Sequence, residues 1–237
     1  MSIFNESRRA IGVAALSAVP FLAACFDVER VDVSQSGRQR LVIDDFEDGN
    51  ATPASTLFES WKCYPFDYVP EIPACGLVPG YDSQFAYALA FDVSSPVTPS
   101  AYGIGAGFGV VPPVGTVDLS LYETVHFDAK LDAGSPAPAP NTTFEVSMVC
   151  YTVRTGSVIG GFEITHTFTP TDSWQTYTFA SSEFMQPSWQ KQQLAMSDKD
   201  LINCPKKVNS LNFNVTVPLD PGQSAAGTLT IDNVWLE

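Results

Sequence analysis

Leu211-Asn212-Phe213-Asn214-Val215-Thr216-Val217 decides how this chain is read. Apolar and polar residues alternate along it without a break. Leu211, Phe213, Val215 and Val217 therefore share one face of an extended strand, and Asn212, Asn214 and Thr216 share the other. One face enters a core and the other stays wetter, as in an antiparallel sheet. Two other stretches repeat the pattern. Val125, Phe127, Ala129 and Leu131 alternate with His126, Asp128 and Lys130, while Phe144, Val146, Met148 and Cys150 alternate with Glu145, Ser147, Val149 and Tyr151. Strands are predicted over 84–93, 101–111, 122–131, 143–154, 158–169, 174–180, 208–217 and 227–236, with Leu41-Val42-Ile43 opening the series. The only helical candidate of note is a short piece over 188–202, broken by Pro205. An all-β, two-sheet antiparallel sandwich is the expected architecture. Residues 133–142, rich in proline and alanine, read as an exposed loop within one domain.

Composition agrees. Among 237 residues, 16 Gly and 18 Pro punctuate turns and disfavour a helix bundle, while 45% hydrophobic content supplies a sizeable core. The 26 acids against 12 Lys+Arg give a net charge of -14, which repels phosphate backbones and excludes nucleic acid as a partner. Two histidines leave little room for histidine-based metal sites or triads.

The N-terminus reads as an export signal. Arg8 and Arg9 precede an apolar run from Ile11 to Ala24, too short for a stable membrane span. The run ends in Leu22-Ala23-Ala24-Cys25, which resembles a bacterial lipobox, with Cys25 as the lipidated thiol. Residues 1–25 are then a signal peptide, 26–40 a polar flexible tether and 41–237 the folded domain. Expected localisation is the bacterial cell envelope, outside the cytoplasm. Contact with the membrane is through the lipid alone. Phe26 after the cysteine resembles outer-membrane sorting.

Cys63, Cys75, Cys150 and Cys204 remain, an even number in an exported chain. Three connectivities are possible. Cys63–Cys75 with Cys150–Cys204 is preferred, because the first two share one irregular segment. The spacings lack a C-x-x-C pair and do not read as a zinc site.

An ordered set of short motifs carries a family likeness. Asp44-Asp45-Phe46-Glu47-Asp48-Gly49-Asn50 opens the domain and Thr230-Ile231-Asp232-Asn233-Val234-Trp235-Leu236 closes it. Between them lie Tyr87-Ala88-Leu89-Ala90-Phe91, Gly103-Ile104-Gly105-Ala106-Gly107-Phe108, Val117-Asp118-Leu119-Ser120-Leu121-Tyr122, Ser173-Trp174-Gln175-Thr176-Tyr177 and Gln186-Pro187-Ser188-Trp189. The set resembles the galactose-binding-like jelly rolls of the family 11 carbohydrate-binding modules, and the related complex I intermediate-associated protein 30 domain. The resemblance implies a jelly-roll β-sandwich, a glycan ligand and a structural calcium near the termini, away from sugar. Gln190 after Trp189, where such chains often have glycine, and the two-cysteine segment 61–75 depart from the pattern. The residues themselves also point to calcium. Asp45 and Glu47 project to one side of an extended strand, and Asp232 lies in the closing strand that would pair beside it. Carboxylates converging there would repel one another without a cation.

Sugar recognition needs flat aromatic faces and polar groups for hydroxyls. The first expected surface is an open sheet face carrying Tyr151, His126, Asp128, Lys130, Arg154, Asn212 and Asn214. The second is the loop bearing Trp61 and Tyr64. Trp174 and Trp235 are expected in the core. For hydrolysis, Glu145 and Glu163 lie on neighbouring predicted strands, but no jelly-roll glucanase signature, nucleophile elbow or phosphate loop is present. The expected function is a lipid-anchored, non-catalytic carbohydrate-binding protein. The alternatives are an envelope assembly protein holding a protein partner and, third, a glycan hydrolase or lyase.

Overall fold

A computed structural model describes residues 31–33, 39–65, 73–94, 104–138, 142–154, 157–193, 197–217 and 224–237. The signal segment and Cys25 lie outside the described residues. Within them, no helix is long and apolar enough to cross a membrane.

Two antiparallel sheets face each other. In the larger, the closing strand β12 (Ser224–Leu236) is the hub. Along one side it pairs with β7 (Thr124–Ala133). Along the other it pairs first with β5 (Ala86–Ser94) and then, from Val234 to Leu236, with β2 (Gln39–Asp44). Outside these lie β10 (Gln175–Ala180) on β7, β4 (Ala74–Val78) on β5 and β1 (Val31–Val33) on β2. The first and last segments of the domain are thus neighbours, Val42 opposite Trp235 and Leu41 opposite Leu236. The smaller sheet runs β3 (Lys62–Pro65), β6 (Ile104–Val110), β11 (Val208–Val217), β8 (Thr143–Arg154) and β9 (Ser157–Phe168).

Within the described residues each predicted strand forms; 101–103 of the stretch 101–111 lie outside them. The short β3 and β4 were not legible, because their proline-rich, aromatic-rich segment has no alternation. Val31–Val33 corrects the tether: it pairs with Gln39–Leu41, so strand structure begins inside 26–40. The predicted helix over 188–202 is divided into α1 (Ser188–Gln193) and α2 (Asp198–Asn203). Ser197 caps α2, its hydroxyl accepting from the Asp200 amide while Asp200 reaches back to the Ser197 amide.

Alternation fills the space between the sheets. Phe213 from β11 meets Phe127 from β7 edge-on at 4.9 Å and stacks on Phe108 from β6 at 5.5 Å. All three are essentially buried, and truncating such a phenylalanine costs about 3–5 kcal/mol. The preferred disulfides are the ones present. Cys63–Cys75, with Cα atoms 6.2 Å apart, links β3 to β4 and so ties the two sheets together. Cys150–Cys204, at 5.4 Å, ties β8 to the short 3-10 turn after α2. Both separations suit a disulfide.

Three tryptophans sit where the sequence did not place them. Trp61 is in the core at 3% exposure, among Phe46, Tyr87, Phe108 and Phe213. Its indole Nε1 donates to Asp44 Oδ2 at 2.7 Å. It therefore offers no ring face to a ligand. Trp235 lies outside the core. Asn233 adopts a left-handed φ of 49°, and the pairing of β12 with β7 slips between Asp232 and Trp235. This bulge inserts a residue and restarts the alternation. Val234 and Leu236 stay buried, while Trp235 turns outward onto His126, with ring centroids 3.5 Å apart. Trp174, just before β10, shares the parity of Thr176 and Thr178 and stacks on Tyr81 at 5.6 Å, also outside the core.

Candidate functional site

The outer face of the smaller sheet is built in rows. Pairing registers place Tyr64, Gly107, Asn214, Glu145 and Thr167 across β3, β6, β11, β8 and β9. The adjacent row is Lys62, Gly109, Asn212, Ser147 and Thr165. Beyond it, Val149 pairs with Glu163. The residues of β6, β11 and β8 between these in sequence face the core, so the alternation read from 211–217 and 144–151 fixes which side chains appear here; on β9, His166 between Thr165 and Thr167 is half-buried against Phe179 and lines the groove described below.

The glycines of β6 let the rows close up. A Cβ at Gly107 would sit 2.5 Å from Asn214 Oδ1 and 2.8 Å from the Tyr64 ring, and one at Gly109 would collide with Asn212. The Tyr64 ring thus lies over bare backbone. From it runs a relay of hydrogen bonds. Tyr64 Oη donates to Asn214 Oδ1 at 2.7 Å, Asn214 Nδ2 donates to Ser147 Oγ at 3.3 Å, and the Ser147 hydroxyl donates to the Glu163 carboxylate.

At the far edge a further segment closes over β9. Met185 and Thr165 exchange backbone hydrogen bonds of 2.8 and 2.9 Å. That contact sets Gln186 and, from α1, Gln190 at the rim, both buried. Gln190 Oε1 accepts from Gln186 Nε2 and from the Glu163 backbone amide, each at 3.2 Å. Between this edge and β11 opens a groove of about 500 Å³, with Thr143, Glu145, Thr165, Thr167, Gln186 and Thr216 among its lining residues.

Two carboxyls share this face. Burial pushes Glu163 up to about 7, the Glu145 charge adds to the rise, and the Ser147 hydroxyl opposes it. Burial also raises Glu145. The Tyr64 phenol is held above its ordinary value by burial and by Glu163. Glu145 and Glu163 are not cross-strand partners: Glu145 is opposite Thr167, and Glu163 is opposite Val149. The face offers hydroxyl, amide and carboxyl partners beside one phenol ring, a set suited to hydroxyl-rich ligands.

Of the expected ligand residues, the structure brings together Tyr64, Asn212 and Asn214. Tyr151 and Arg154 fall in β8, but their side chains lie outside the described residues, as does that of Trp189. His126, Asp128 and Lys130 do not join the site. They point outward from β7, in the larger sheet. Their polar groups are already engaged. His126 Nε2 and Nδ1 bond Thr124 and Thr178 at 2.7 and 2.9 Å. Asp128 accepts from Thr176 at 2.5 Å and Asn233 at 2.9 Å, and Lys130 pairs with Asp132 at 3.0 Å. Parity gave their outward direction correctly but could not say which sheet they left. Ser147, Gln186 and Gln190 were missed as site residues; Ser147 was visible as an outward position of β8, whereas the glutamines are placed only by the Met185 contact.

The carboxylates expected to hold calcium do not gather. Among the described residues, no three His, Cys, Asp or Glu side chains come together as an ion-holding group. Asp232 Oδ2 accepts from the Tyr81 amide at 2.9 Å and Ser83 Oγ at 2.6 Å, and its Oδ1 accepts from the Asn233 amide at 2.8 Å. Glu47 accepts from the Gln84 amide at 2.9 Å, and Asp45 accepts from the Glu47 amide at 3.3 Å. Backbone amides and the Ser83 hydroxyl are the donors that hold Asp232 and Glu47 in place.

The molecule is a two-sheet antiparallel jelly roll with a polar groove on the outer face of its smaller sheet. No protein-family model matches the chain, and no curated protein does. Solved structures do. The family 11 carbohydrate-binding module of the cellulosomal cellulase Lic26A-Cel5E of Clostridium thermocellum is 19% identical, with a TM-score of 0.51 over 84% of this chain and 94% of that one. A family 11 module from Clostridium thermocellum in complex with a β-1,3-1,4-mixed-linked tetrasaccharide is 18% identical, with a TM-score of 0.49 over 83% and 94%. At such identity the likeness defines the fold, a carbohydrate-binding-module jelly roll.

Proposed function

We propose that this chain binds poly- or oligosaccharide on the outer face of the smaller sheet, over the hydrogen-bond relay and the groove beside it, and does not cleave it. The observation that carries the reading is the relay Tyr64–Asn214–Ser147–Glu163, laid across the outer face of a fold shared with a carbohydrate-binding module. Sugar hydroxyls would exchange with its donors and acceptors, and the Tyr64 ring would supply an apolar edge. Hydrolysis is not part of the proposal, because the staggered Glu145 and Glu163 are not set opposite each other about a bond to be cut. Affinity electrophoresis through gels containing plant, algal and cell-wall polysaccharides tests it. Retardation on at least one, weakened by Tyr64→Ala and Asn214→Ala in folded variants, is expected. Free migration on all of them overturns it.

The sequence around Cys25 supports the second part of the proposal, a lipid anchor holding the domain outside the cytoplasm. Cys25→Ala should move the protein out of the membrane fraction, and unchanged fractionation would refute the anchor.

A further inference from the structure

The strand that carries Tyr64 is held only lightly by its own pairing. β3 is the outer strand of the smaller sheet, and among the described residues it pairs with β6 through four positions. Its outward residues, Lys62 and Tyr64, stand opposite Gly109 and Gly107, so no cross-strand side chain of β6 packs against either. Its last residue, Pro65, has no N–H to donate. Such a strand needs anchors from elsewhere, and two inward side chains supply them. Trp61, just before it, is fixed in the core by its bond to Asp44. Cys63, next to Tyr64, is bridged to Cys75 of β4, an outer strand of the other sheet.

The two disulfides differ in what they can do. Cys150–Cys204 joins residues 54 apart in sequence, and both cysteines are buried. Cys63–Cys75 joins residues 12 apart, and both are half-buried. Closing a short loop removes less entropy from the unfolded chain than closing a long one, so the Cys63–Cys75 bridge contributes less to global stability. Its effect is local, one residue from the Tyr64 ring. That ring lies over the bare backbone of Gly107, and its Oη reaches Asn214 Oδ1 at 2.7 Å. Both contacts require β3 to keep a fixed position beside β6.

We propose that the Cys63–Cys75 disulfide is a positioning element of the glycan site, which holds the Tyr64 ring in its binding pose and makes affinity sensitive to dithiol reductants. The proposal rests on the glycan-binding reading and adds the regulation of that same site. Reduction is a thiol–disulfide exchange. The dithiol passes two electrons and two protons to the bridge, the S–S bond breaks into two Sγ–H groups, and the reductant leaves as its own disulfide. Half-buried Cys63 and Cys75 admit that attack more readily than buried Cys150 and Cys204. Without the bridge, Tyr64 is tethered through Trp61 and the short β6 pairing. Binding must then order the ring again, which lowers affinity.

The test is affinity electrophoresis of the full protein through gels of mixed-linkage β-glucan, xyloglucan and laminarin. Cys63→Ser/Cys75→Ser should still melt in one cooperative step and bind about three- to tenfold more weakly than the parent. In a Tyr64→Ala background the same pair should lower affinity no further, because both changes act through one ring. Cys150→Ala/Cys204→Ala should lower the melting temperature and leave affinity unchanged. Burial and Glu163 hold the Tyr64 phenol above its ordinary value. In alkaline ultraviolet titration the serine pair should therefore add one tyrosine ionising at about pH 10, a signal lost with Tyr64→Phe. If the serine pair does not fold, dithiothreitol on the folded parent gives the same reading. It is sampled when mass spectrometry finds Cys63 and Cys75 alkylated and Cys150 and Cys204 still bridged. Undiminished binding without the bridge overturns the positioning role while glycan binding stands, as does an equal loss in the Tyr64→Ala background or in Cys150→Ala/Cys204→Ala. Free migration of the parent on every gel overturns both readings.

Discussion

Replacing Glu163 with glutamine should make the protein more stable at neutral and alkaline pH, although it removes a charged residue from the site. Burial and Glu145 raise the Glu163 carboxyl from 4.5 to about 7 in the folded chain. Below the lower value, folded and unfolded states are both neutral at this position and the full contribution is present. As pH rises through the window between these values, the unfolded chain ionises while the folded chain keeps its proton, and stability is lost. A shift of this size corresponds at most to about 3 kcal/mol. Glu163 is only partly buried, so solvent screening reduces the effect to about 1–2 kcal/mol. For a domain of this size that is a melting-temperature difference of about 2–8 °C. The Glu163→Gln variant and the parent should melt alike at about pH 4 and diverge as pH rises, the variant being higher at about pH 8. Thermal denaturation across that range measures it. Parallel curves, or a variant that is less stable at every pH, would refute the assignment of Glu163 as a carboxyl strained by burial beside Glu145.

Three further outcomes follow from particular contacts. Trp61→Phe keeps the core ring but removes the indole donor to Asp44. Asp44 is buried and raised to about 7, so chemical denaturation should show a loss of about 1.5–3 kcal/mol, larger above that pH, where the carboxylate form needs the donor. Gly107→Ala places a methyl 2.8 Å from the Tyr64 ring and 2.5 Å from Asn214; polysaccharide retardation should fall at least as much as in Tyr64→Ala, and an unchanged gel would separate the glycine strand from the site. Chelation should leave the melting temperature unmoved, because backbone and hydroxyl donors already satisfy Glu47 and Asp232. A fall of several degrees, reversed by calcium, would instead place an ion between those two carboxylates.

The sequence by itself determined the strands, their inward residues and the class of fold. Alternation has a period of two, and burial of one face enforces it locally, so Phe213 and Asn214, or Val146 and Ser147, are sorted without knowledge of any neighbour. Local spacing likewise favoured the Cys63–Cys75 and Cys150–Cys204 pairs. Alternation states that a residue points outward but not from which sheet. His126, Asp128 and Lys130 therefore looked like companions of Asn212 and Asn214, and only the pairing of β7 with β12 put them on the opposite side of the molecule. It also fails where the backbone inserts a residue. The left-handed Asn233 reversed Trp235, a local conformation that no periodic pattern encodes. Trp61 and the Gln186–Gln190 rim lie in irregular segments with no period at all. Their places were decided by partners distant in sequence, Asp44 for the indole and Thr165 for the Met185 contact, because a long-range hydrogen bond leaves no mark on the residues beside it in the chain.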